Sequence, residues 1–173
     1  MLPIPKHLKG VFVPIGEANN EYFVKGAVRC LCGCENFSMS FFANVEKGIP
    51  CVCEYKDDYA LVVKIECNDC SNEYVIFDMS KHGWNGFVCH DGISVPDDEL
   101  KLWECPKCAN GSHNLEICIG SNGKQDFIDE TSIADGETEF SEDEWVEGFE
   151  SINIKLKCCG CGHSDDNWTY ETM

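Results

Sequence analysis

The sequence predicts a mainly β protein built from two tandem antiparallel units, with little helix. Three observations lead to this prediction. Apolar and polar residues alternate over 37–41 and 115–119, which is the pattern of half-buried strands. No stretch of ten or more residues repeats its apolar side chains with the helical period of 3.6. Cysteines also recur in one arrangement in both halves of the chain.

The internal repeat appears when two pairs of segments are aligned. ALVVKIECNDCSNEYVIFD (60–78) and SINIKLKCCGCGHSDDNWTYE (151–171) share an alternating lead-in, a cysteine pair, a polar turn and an aromatic-bearing strand. VRCLCGCENFSMSFF (28–42) and LWECPKCANGSHNLEICIG (102–120) align in the same way. Each half should therefore contain a knuckle (a turn with two close cysteines), a strand, a long excursion, a strand, a second knuckle and a strand.

A boundary between the two units is predicted where the apolar pattern breaks. In HDGISVPDDELKLW (90–103) a proline and two aspartates precede the apolar start of the second unit. We therefore predict a first unit over 1–97 that includes an N-terminal extension, and a second over 98–173 with an acidic insertion over 126–150. Each unit is too small to bury a large core alone, so bound metal should supply much of its folding free energy.

The chain has 14 cysteines among 173 residues, a density typical of disulfide frameworks or metal sites. The start, MLPIPKHLKGVFVPIG, lacks the features of a secretory signal, and no apolar run could span a membrane. A cytoplasmic location is therefore expected, where thiols stay reduced and bind metal. Four close clusters predict two structural Zn²⁺ sites, with the ligands Cys30, Cys32, Cys67 and Cys70 in the first and Cys105, Cys108, Cys158 and Cys161 in the second.

The first cluster, CLCGC, offers three cysteines for two ligand positions. Gly33 directly follows Cys32, and a glycine supplies the positive φ with which such a turn leaves the metal. This placement favours Cys30 with Cys32. The pairing of Cys30 with Cys34 remains open, although it would leave the glycine inside the turn.

These cysteine pairs, their turns and the strand pattern resemble the zinc-ribbon fold group. The resemblance covers Cys30 to about Trp84 and Cys105 to about Glu171. It implies two tandem ribbons in which zinc is structural. It does not imply one function, because ribbons serve in nucleic-acid binding, protein docking and enzymes.

The remaining cysteines allow one more site. Cys51, Cys53 and Cys89 could join His90 in a third metal site, but free thiols on strands are the favoured interpretation. Cys118 lies on the polar face of its predicted strand, and Cys159, between two ligands, should point outward.

The sequence contains no motif of a known catalytic site. It has no glycine-rich phosphate loop, no HExxH and no GxSxG. A catalytic zinc keeps an open position and usually has histidine or carboxylate ligands, whereas four thiolates close the site. The chain is therefore expected not to be an enzyme, with a metal-dependent enzyme as one alternative.

Charge is the second strong feature of the sequence. The net charge is −18, and residues 98–173 hold 18 acidic and 5 basic residues, whereas residues 1–97 hold 13 and 8. Two four-thiolate zinc sites would lower the net charge to about −22. Nucleic-acid backbones bind clustered Lys and Arg, so direct nucleic-acid binding is not expected, and neither is membrane binding.

The acidic insertion holds 11 acidic residues and no Lys or Arg. Its aromatic residues could cover the sheet while the acids face water, with a short helix capped by Ser141. They could also anchor a basic protein that the carboxylates attract. The residues predicted to contact that partner are Glu142, Asp143, Glu144, Trp145, Glu147 and Phe149.

The function expected from these features is a non-enzymatic, zinc-binding interaction module. One specific version is an acidic inhibitor or immunity protein that blocks the basic cleft of a nucleic-acid-acting effector. The alternative in the same fold group is an accessory factor of the transcription, RNA or translation machinery. The oligomeric state is not indicated by the sequence.

Overall fold

The computed structural model describes residues 1–17, 19–133 and 140–172. Of these residues, 40% are in strands and 14% in helices. The strands pair antiparallel throughout. The prediction of a mainly β, antiparallel protein is therefore confirmed.

Nine strands form the main sheet, and four short strands form two separate hairpins. The sheet strands are β1 (Phe12–Pro14), β2 (Phe23–Val28), β3 (Phe37–Phe42), β8 (Val62–Cys67), β9 (Glu73–Asp78), β10 (Lys101–Leu102), β11 (Ser112–Gly120), β12 (Ser151–Cys158) and β13 (Ser164–Glu171). The hairpins pair β4 (Asn44–Glu46) with β5 (Ile49–Cys51) and β6 (Cys53–Tyr55) with β7 (Asp58–Ala60).

The predicted repeat is visible in the sheet. β3, β8 and β9 form one three-stranded ribbon, and β11, β12 and β13 form the other. In the first, Phe37 pairs with Cys67. In the second, His113 pairs with Cys158. Phe37 and His113 therefore occupy equivalent positions, each opposite the first cysteine of the knuckle between the second and third strands.

The two predicted units meet within one sheet. β11 of the second unit pairs with β2 and, through its first two residues, with β3 of the first. The order of neighbouring strands in the sheet through this region is β1-β2-β11-β3-β8-β9. The boundary near residue 97 remains a prediction.

The hydrophobic core is also shared between the units. The Phe41 ring from β3 lies edge-on to Trp103 and Trp168 of the second unit, at centroid distances of 5.7 and 5.1 Å. Phe77 of β9 lies 5.1 Å from Tyr170 of β13. Aromatic pairs in this geometry add to the burial energy, so the side chains of both ribbons stabilise one core.

One α-helix, α1 (Lys124–Ile133), was not predicted. Its apolar side chains form no continuous stripe, and a helix of ten residues is marginal without tertiary contacts. Phe127 provides the contact: it is buried and packs edge-on against Trp84 and Phe140, at 5.9 and 5.7 Å. The helix is thus stabilised by packing that the sequence pattern does not reveal.

The N-terminal extension is part of the folded body. A single 3-10 turn, Lys6–Leu8, follows Pro5, and both Leu2 and Leu8 are completely buried in the core. Within the described residues, no helix is both long and apolar enough to cross a membrane.

Candidate metal centres

The structure brings the eight predicted ligand cysteines together in two groups of four. Within each group the sulfurs lie within 4.8 Å of one another. In the first group, Cys30 Sγ is 3.4 Å from Cys70 Sγ, and Cys32 Sγ is 3.6 Å from Cys67 Sγ. The two knuckles of the first ribbon therefore converge on one point.

The second group repeats this arrangement. Cys105 Sγ lies 3.7 Å from Cys161 Sγ, and Cys108 Sγ lies 3.6 Å from Cys158 Sγ. In both groups the first cysteine of one knuckle approaches the second cysteine of the other. One of each approaching pair is buried and the other is exposed.

The distances fit a tetrahedral metal–thiolate site. With metal–sulfur bonds of about 2.3 Å, the sulfurs of a regular tetrahedron lie about 3.8 Å apart. The closest observed sulfur pairs are 3.4–3.7 Å apart. Each group could therefore hold one metal ion, and four thiolates would leave it no open coordination position.

All four knuckles turn in the same way after their second cysteine. The next residue has a positive φ in each: 93° at Gly33, 56° at Ser71, 57° at Ala109 and 73° at Gly162. The backbone N–H of this residue donates to the carbonyl of the first cysteine, at 2.8 to 2.9 Å. The left-handed conformation is thus required even at the two positions that lack glycine.

This shared turn bears on the choice among the three cysteines of CLCGC. The first group contains Cys30 and Cys32, with Gly33 at the left-handed position. Cys34 lies outside the group and is half-buried, and its sulfur accepts the backbone N–H of Asn36 at 3.3 Å. Its sulfur therefore stabilises the exit from the knuckle.

Thiol protonation in the first cluster is uneven. The Tyr74 hydroxyl, 3.2 Å from Cys30 Sγ, lowers the pKa of Cys30 to about 6, assisted by the backbone N–H of Cys32. The backbone N–H of Asn72 favours the thiolate of Cys70, but the neighbouring Cys30 and burial outweigh it and raise its pKa to about 12. The hydrogen bonds at Cys30 therefore favour its thiolate form.

The thiols of the second cluster also differ in pKa, and here backbone N–H groups take the place of the tyrosine hydroxyl. The backbone N–H groups of Cys161 and Gly160 lower the pKa of Cys158 to about 7 against the opposing effect of burial. At Cys108 the backbone N–H of Asn110 favours the thiolate, but the thiols of Cys161 and Cys158 raise its pKa to about 12. A bound metal must replace protons at such thiols.

Tyr74 distinguishes the two clusters and was not predicted from the sequence. It pairs with Ile65 on β8, and its counterpart in the second ribbon, opposite Leu156, is Asp165. Nothing in the cysteine spacing indicates a hydroxyl donor, because the contact with Cys30 joins residues 44 positions apart. Groups that hydrogen-bond to metal ligands orient them and adjust metal affinity.

A side-chain network joins the two knuckles across the junction of β3 and β11. Asn68, which directly follows the ligand Cys67, donates from Nδ2 to Ser112 Oγ at 2.8 Å. Its Oδ1 accepts from Ser38 Oγ at 2.8 Å, and its backbone N–H donates to Asn36 O at 3.1 Å. A residue of the first cluster's knuckle thereby contacts the second ribbon.

The reverse contacts start from the second cluster. Cys159, which directly follows the ligand Cys158, donates from Sγ to Asn36 Oδ1 at 3.3 Å, and its backbone N–H donates to Ser112 O at 3.0 Å. Asn114 Nδ2 also donates to Asn36 Oδ1, at 2.9 Å. Cys159 is exposed, as expected, and it is equivalent by repeat to Asn68.

The cysteines outside the two groups of four were considered for a third metal site. Among the described residues, Cys51, Cys53, Cys89 and His90 are in no group that could hold a metal ion. Cys51 and Cys89 are exposed, and Cys53 is half-buried. Cys118 is half-buried on the polar face of β11, as the sequence pattern indicates, and burial raises its pKa.

Aromatic residues of the acidic insertion pack against the rest of the protein. Phe127 and Phe149 are buried in the protein, Trp145 packs half-buried against the core, and the Phe140 ring lies 5.5 Å from that of Phe87. Ser141 precedes a 3-10 turn, Glu142–Glu144, and its backbone N–H donates to Glu144 Oε2 at 3.0 Å. Residues 134–139 and the Glu142 side chain lie outside the described residues.

The residues predicted to contact a partner therefore differ in accessibility. Asp143 is exposed. The carboxylate of Glu147 accepts the backbone N–H of Lys6 at 3.0 Å, and Glu144 lies 3.7 Å from Lys6 Nζ. Phe149 has no exposed surface, so in this conformation it belongs to the core and cannot anchor a partner.

Two histidines hold the N-terminal turn that Lys6 begins. The rings of His7 and His82 stack with centroids 3.7 Å apart and planes 5° apart. His7 Nε2 donates to Ile76 O at 3.2 Å, and His82 Nδ1 accepts the backbone N–H of Asp78 at 3.0 Å. Burial lowers the pKa of His7 to about 4, and burial with the neighbouring His7 lowers that of His82 to about 3.

Comparison with known proteins does not extend this description. No protein-family model, no curated protein and no solved structure matches the chain. The resemblance to zinc ribbons therefore depends on the two four-cysteine clusters and the strands that position them.

Proposed function

We propose that this chain is a non-enzymatic interaction module in which two structural Zn²⁺ ions hold a β scaffold and an acidic surface binds a basic protein. The observation that carries the proposal is that all four donors in each cluster are cysteine sulfurs. Tetrahedral, all-sulfur donor sets are typical of structural zinc, whereas catalytic zinc keeps a water position.

The charge of the chain supports a basic partner. Zinc bound to four thiolates leaves each site with a net charge of about −2, which adds to the sequence charge. Asp129, Glu130 and Asp143 in the second unit are exposed to solvent. A surface of this sign accelerates the association of a positively charged protein and repels a phosphate backbone.

Among the described residues of the acidic insertion, the exposed side chains include the carboxylates of Asp129, Glu130 and Asp143. Since Phe127 and Phe149 are committed to the fold, affinity for the partner should depend strongly on charge. Trp145 is the one aromatic residue of the predicted contact set that retains some exposure. The inhibitor or immunity-protein version of the proposal requires this surface to cover the partner's basic cleft.

Affinity purification tests the proposal. The full chain, loaded with Zn²⁺, is used to capture proteins from its native host at low and at high salt, and mass spectrometry identifies what elutes. We expect a basic protein that is retained at low salt and released at high salt, because salt screens exposed charges. Capture that is indifferent to salt, or the absence of any captured protein, would contradict the proposal.

A matched pair of variants locates the surface. The triple change Asp129→Asn, Glu130→Gln and Asp143→Asn should reduce capture at least about tenfold. The control triple, Glu54→Gln, Asp57→Asn and Asp58→Asn, removes the same charge from exposed residues of the first unit. Equal losses in both triples would indicate a general charge effect and overturn the assignment of the surface.

Nucleic-acid binding is the outcome that would favour the accessory-factor alternative. The Zn²⁺-loaded chain is mixed with duplex DNA and with single-stranded RNA at modest salt, and mobility shifts are recorded. We expect no shift from a chain with 31 acidic and 13 basic residues. A salt-sensitive shift at micromolar protein would replace the proposed function with the alternative.

A further inference from the structure

We propose that the two four-cysteine clusters bind metal cooperatively, through the contacts that Asn36 and Asn68 make across the β3–β11 junction. The proposal rests on the zinc assignment above and concerns how the same sites are filled. Its basis is geometric: each knuckle places the residue after a ligand cysteine against the opposite ribbon.

The linking residues move with the ligands. Asn68 is covalently next to Cys67, and Cys159 is next to Cys158 and between that cluster's two ligands. Without an ion, the sulfurs of one cluster have no common coordination partner and are joined only by weak thiol hydrogen bonds. Metal binding at one cluster therefore fixes the backbone that carries Asn68 or Cys159.

The partners of these residues lie close to the opposite ligands. Asn68 contacts Ser112, which is four residues after the ligand Cys108, and Cys159 contacts Asn36, which is four residues after the ligand Cys32. The contacts are reciprocal, so an ordered knuckle in either ribbon presents hydrogen-bond partners to the other. Positive coupling requires that binding at either cluster favours the same conformation of the chain.

The backbone pairing that directly joins the two ribbons, between β3 and β11, is short. β3 and β11 share two residue pairs, Phe37 with His113 and Ser38 with Ser112. Beyond them β3 pairs with β10, and β11 pairs with β2. The side chains of Asn36 and Asn68 therefore carry a large part of the connection between the knuckles.

The magnitude of the coupling follows from the number of contacts. A few partly exposed hydrogen bonds, each of modest net strength, correspond to a change in affinity of about tenfold. We expect the second Zn²⁺ to bind about ten times more tightly than it would to a chain whose other cluster is empty.

The first test counts metal ions directly. The metal-free chain is titrated with Zn²⁺, and native mass spectrometry gives the populations with zero, one and two ions. Independent sites, whether equal or unequal in affinity, give a one-ion population of at least about half when half the sites are filled. For two all-cysteine sites of similar intrinsic affinity we expect a one-ion population well below half, and a value at or above half would overturn a tenfold coupling between such sites.

Two variants and a control assign the coupling to the junction. Asn36→Ala and Asn68→Ala should each raise the one-ion population towards the independent value. Asn153→Ala is the matched control, because among the described residues Asn153 Nδ2 donates within the second ribbon, to Asp166 O and Thr169 Oγ1. An unchanged one-ion population in both junction variants would overturn the role of these residues.

A second measurement keeps the test valid if a variant loses stability. Cys30→Ser with Cys67→Ser removes the first cluster, and competition with a chromophoric chelator gives the Zn²⁺ affinity of the second. We expect a loss of about tenfold, and no further loss when Asn68→Ala is added. An unaltered affinity would overturn the coupling while leaving the zinc assignment intact. Failure of the unmodified chain to bind two ions would overturn both.

Discussion

Phe37 and His113 lie directly opposite each other across β3 and β11, and each is paired on its other side with a candidate ligand cysteine, Cys67 or Cys158. The four residues form one row across four strands. Three strand spacings of about 4.8 Å place the two ligands roughly 15 Å apart. The centre of the sheet therefore holds the two candidate metal centres at a defined separation.

Metal affinity should depend on pH. Metal binds the thiolate forms, so protons compete with it below the thiol pKa values, which in the metal-free clusters include about 6 at Cys30 and about 12 at Cys70. Affinity should therefore increase from pH 6 to pH 8, measured by chelator competition, and binding should release protons into a weakly buffered solution. An affinity independent of pH would contradict thiolate ligation.

Removal of metal should unfold most of the structure. Each group of four cysteines could hold one ion that joins its two knuckles, and the ribbons share one core. Dialysis against a chelator at neutral pH, with a reductant present, should abolish the near-ultraviolet circular dichroism of buried Trp103 and Trp168, and added Zn²⁺ should restore it. Retention of the full signal in a chain shown to be metal-free would indicate that the core is sufficient by itself.

Tyr74→Phe should weaken the first cluster selectively. The change removes the hydroxyl 3.2 Å from Cys30 Sγ, so the pKa of Cys30 should rise and Zn²⁺ affinity at the first cluster should fall about tenfold. The Zn²⁺ affinities of the unmodified and substituted chains are compared by competition with a chromophoric chelator. Tyr170→Phe, which removes a hydroxyl that accepts from Asn85, is the control. Equal effects of the two changes would refute a specific role of Tyr74.

The stacked histidines should make stability depend on pH in the acidic range. Their folded pKa values, about 4 at His7 and about 3 at His82, lie below the ordinary value of 6.5. Between these limits the unfolded chain binds more protons, so the free energy of unfolding falls as pH falls below about 6.5, by at most about 1.4 kcal/mol per pH unit for each histidine. Above that pH the effect is absent.

His7→Phe tests this contribution, because phenylalanine can stack but cannot be protonated. The difference in unfolding free energy between pH 7 and pH 5, from chemical denaturation, should be smaller in His7→Phe than in the unmodified chain. His90→Gln, at an exposed position, should leave the difference unchanged. A pH dependence that is the same in all three proteins would exclude the histidine pair as its source.

The left-handed positions of the knuckles should respond in opposite directions to glycine and alanine. Ala109→Gly relieves a φ of 57° and should stabilise the Zn²⁺-loaded protein, whereas Gly33→Ala at a φ of 93° should destabilise it, each by about 1 kcal/mol. Gly111→Ala is the control, since an added Cβ meets no atom within 4 Å and its φ is not positive. Equal responses at Gly33 and Gly111 would contradict the conformational argument.

The strands around the clusters could be predicted because their information is local. Alternation with a period of two identifies β3 and β11 from a few consecutive residues, and the cysteine spacing identifies the knuckles. Helix α1 could not be predicted in this way, because its stability comes from the packing of Phe127 on Trp84 and Phe140. Whether Phe149 covers the sheet or anchors a partner is also left open by the sequence, because an aromatic residue among carboxylates can point either way, and its burial fits the first alternative.

The sequence by itself determined the β class, the repeat and the eight candidate ligands, because side-chain periodicity and ligand spacing are properties of neighbouring residues. Only the tertiary structure decided which side chains contact the clusters and which hold the N-terminal turn. Tyr74 approaches Cys30, Asn68 approaches Ser112, and His7 stacks on His82. These contacts join residues 44 to 75 positions apart in the chain, so only folding brings them together.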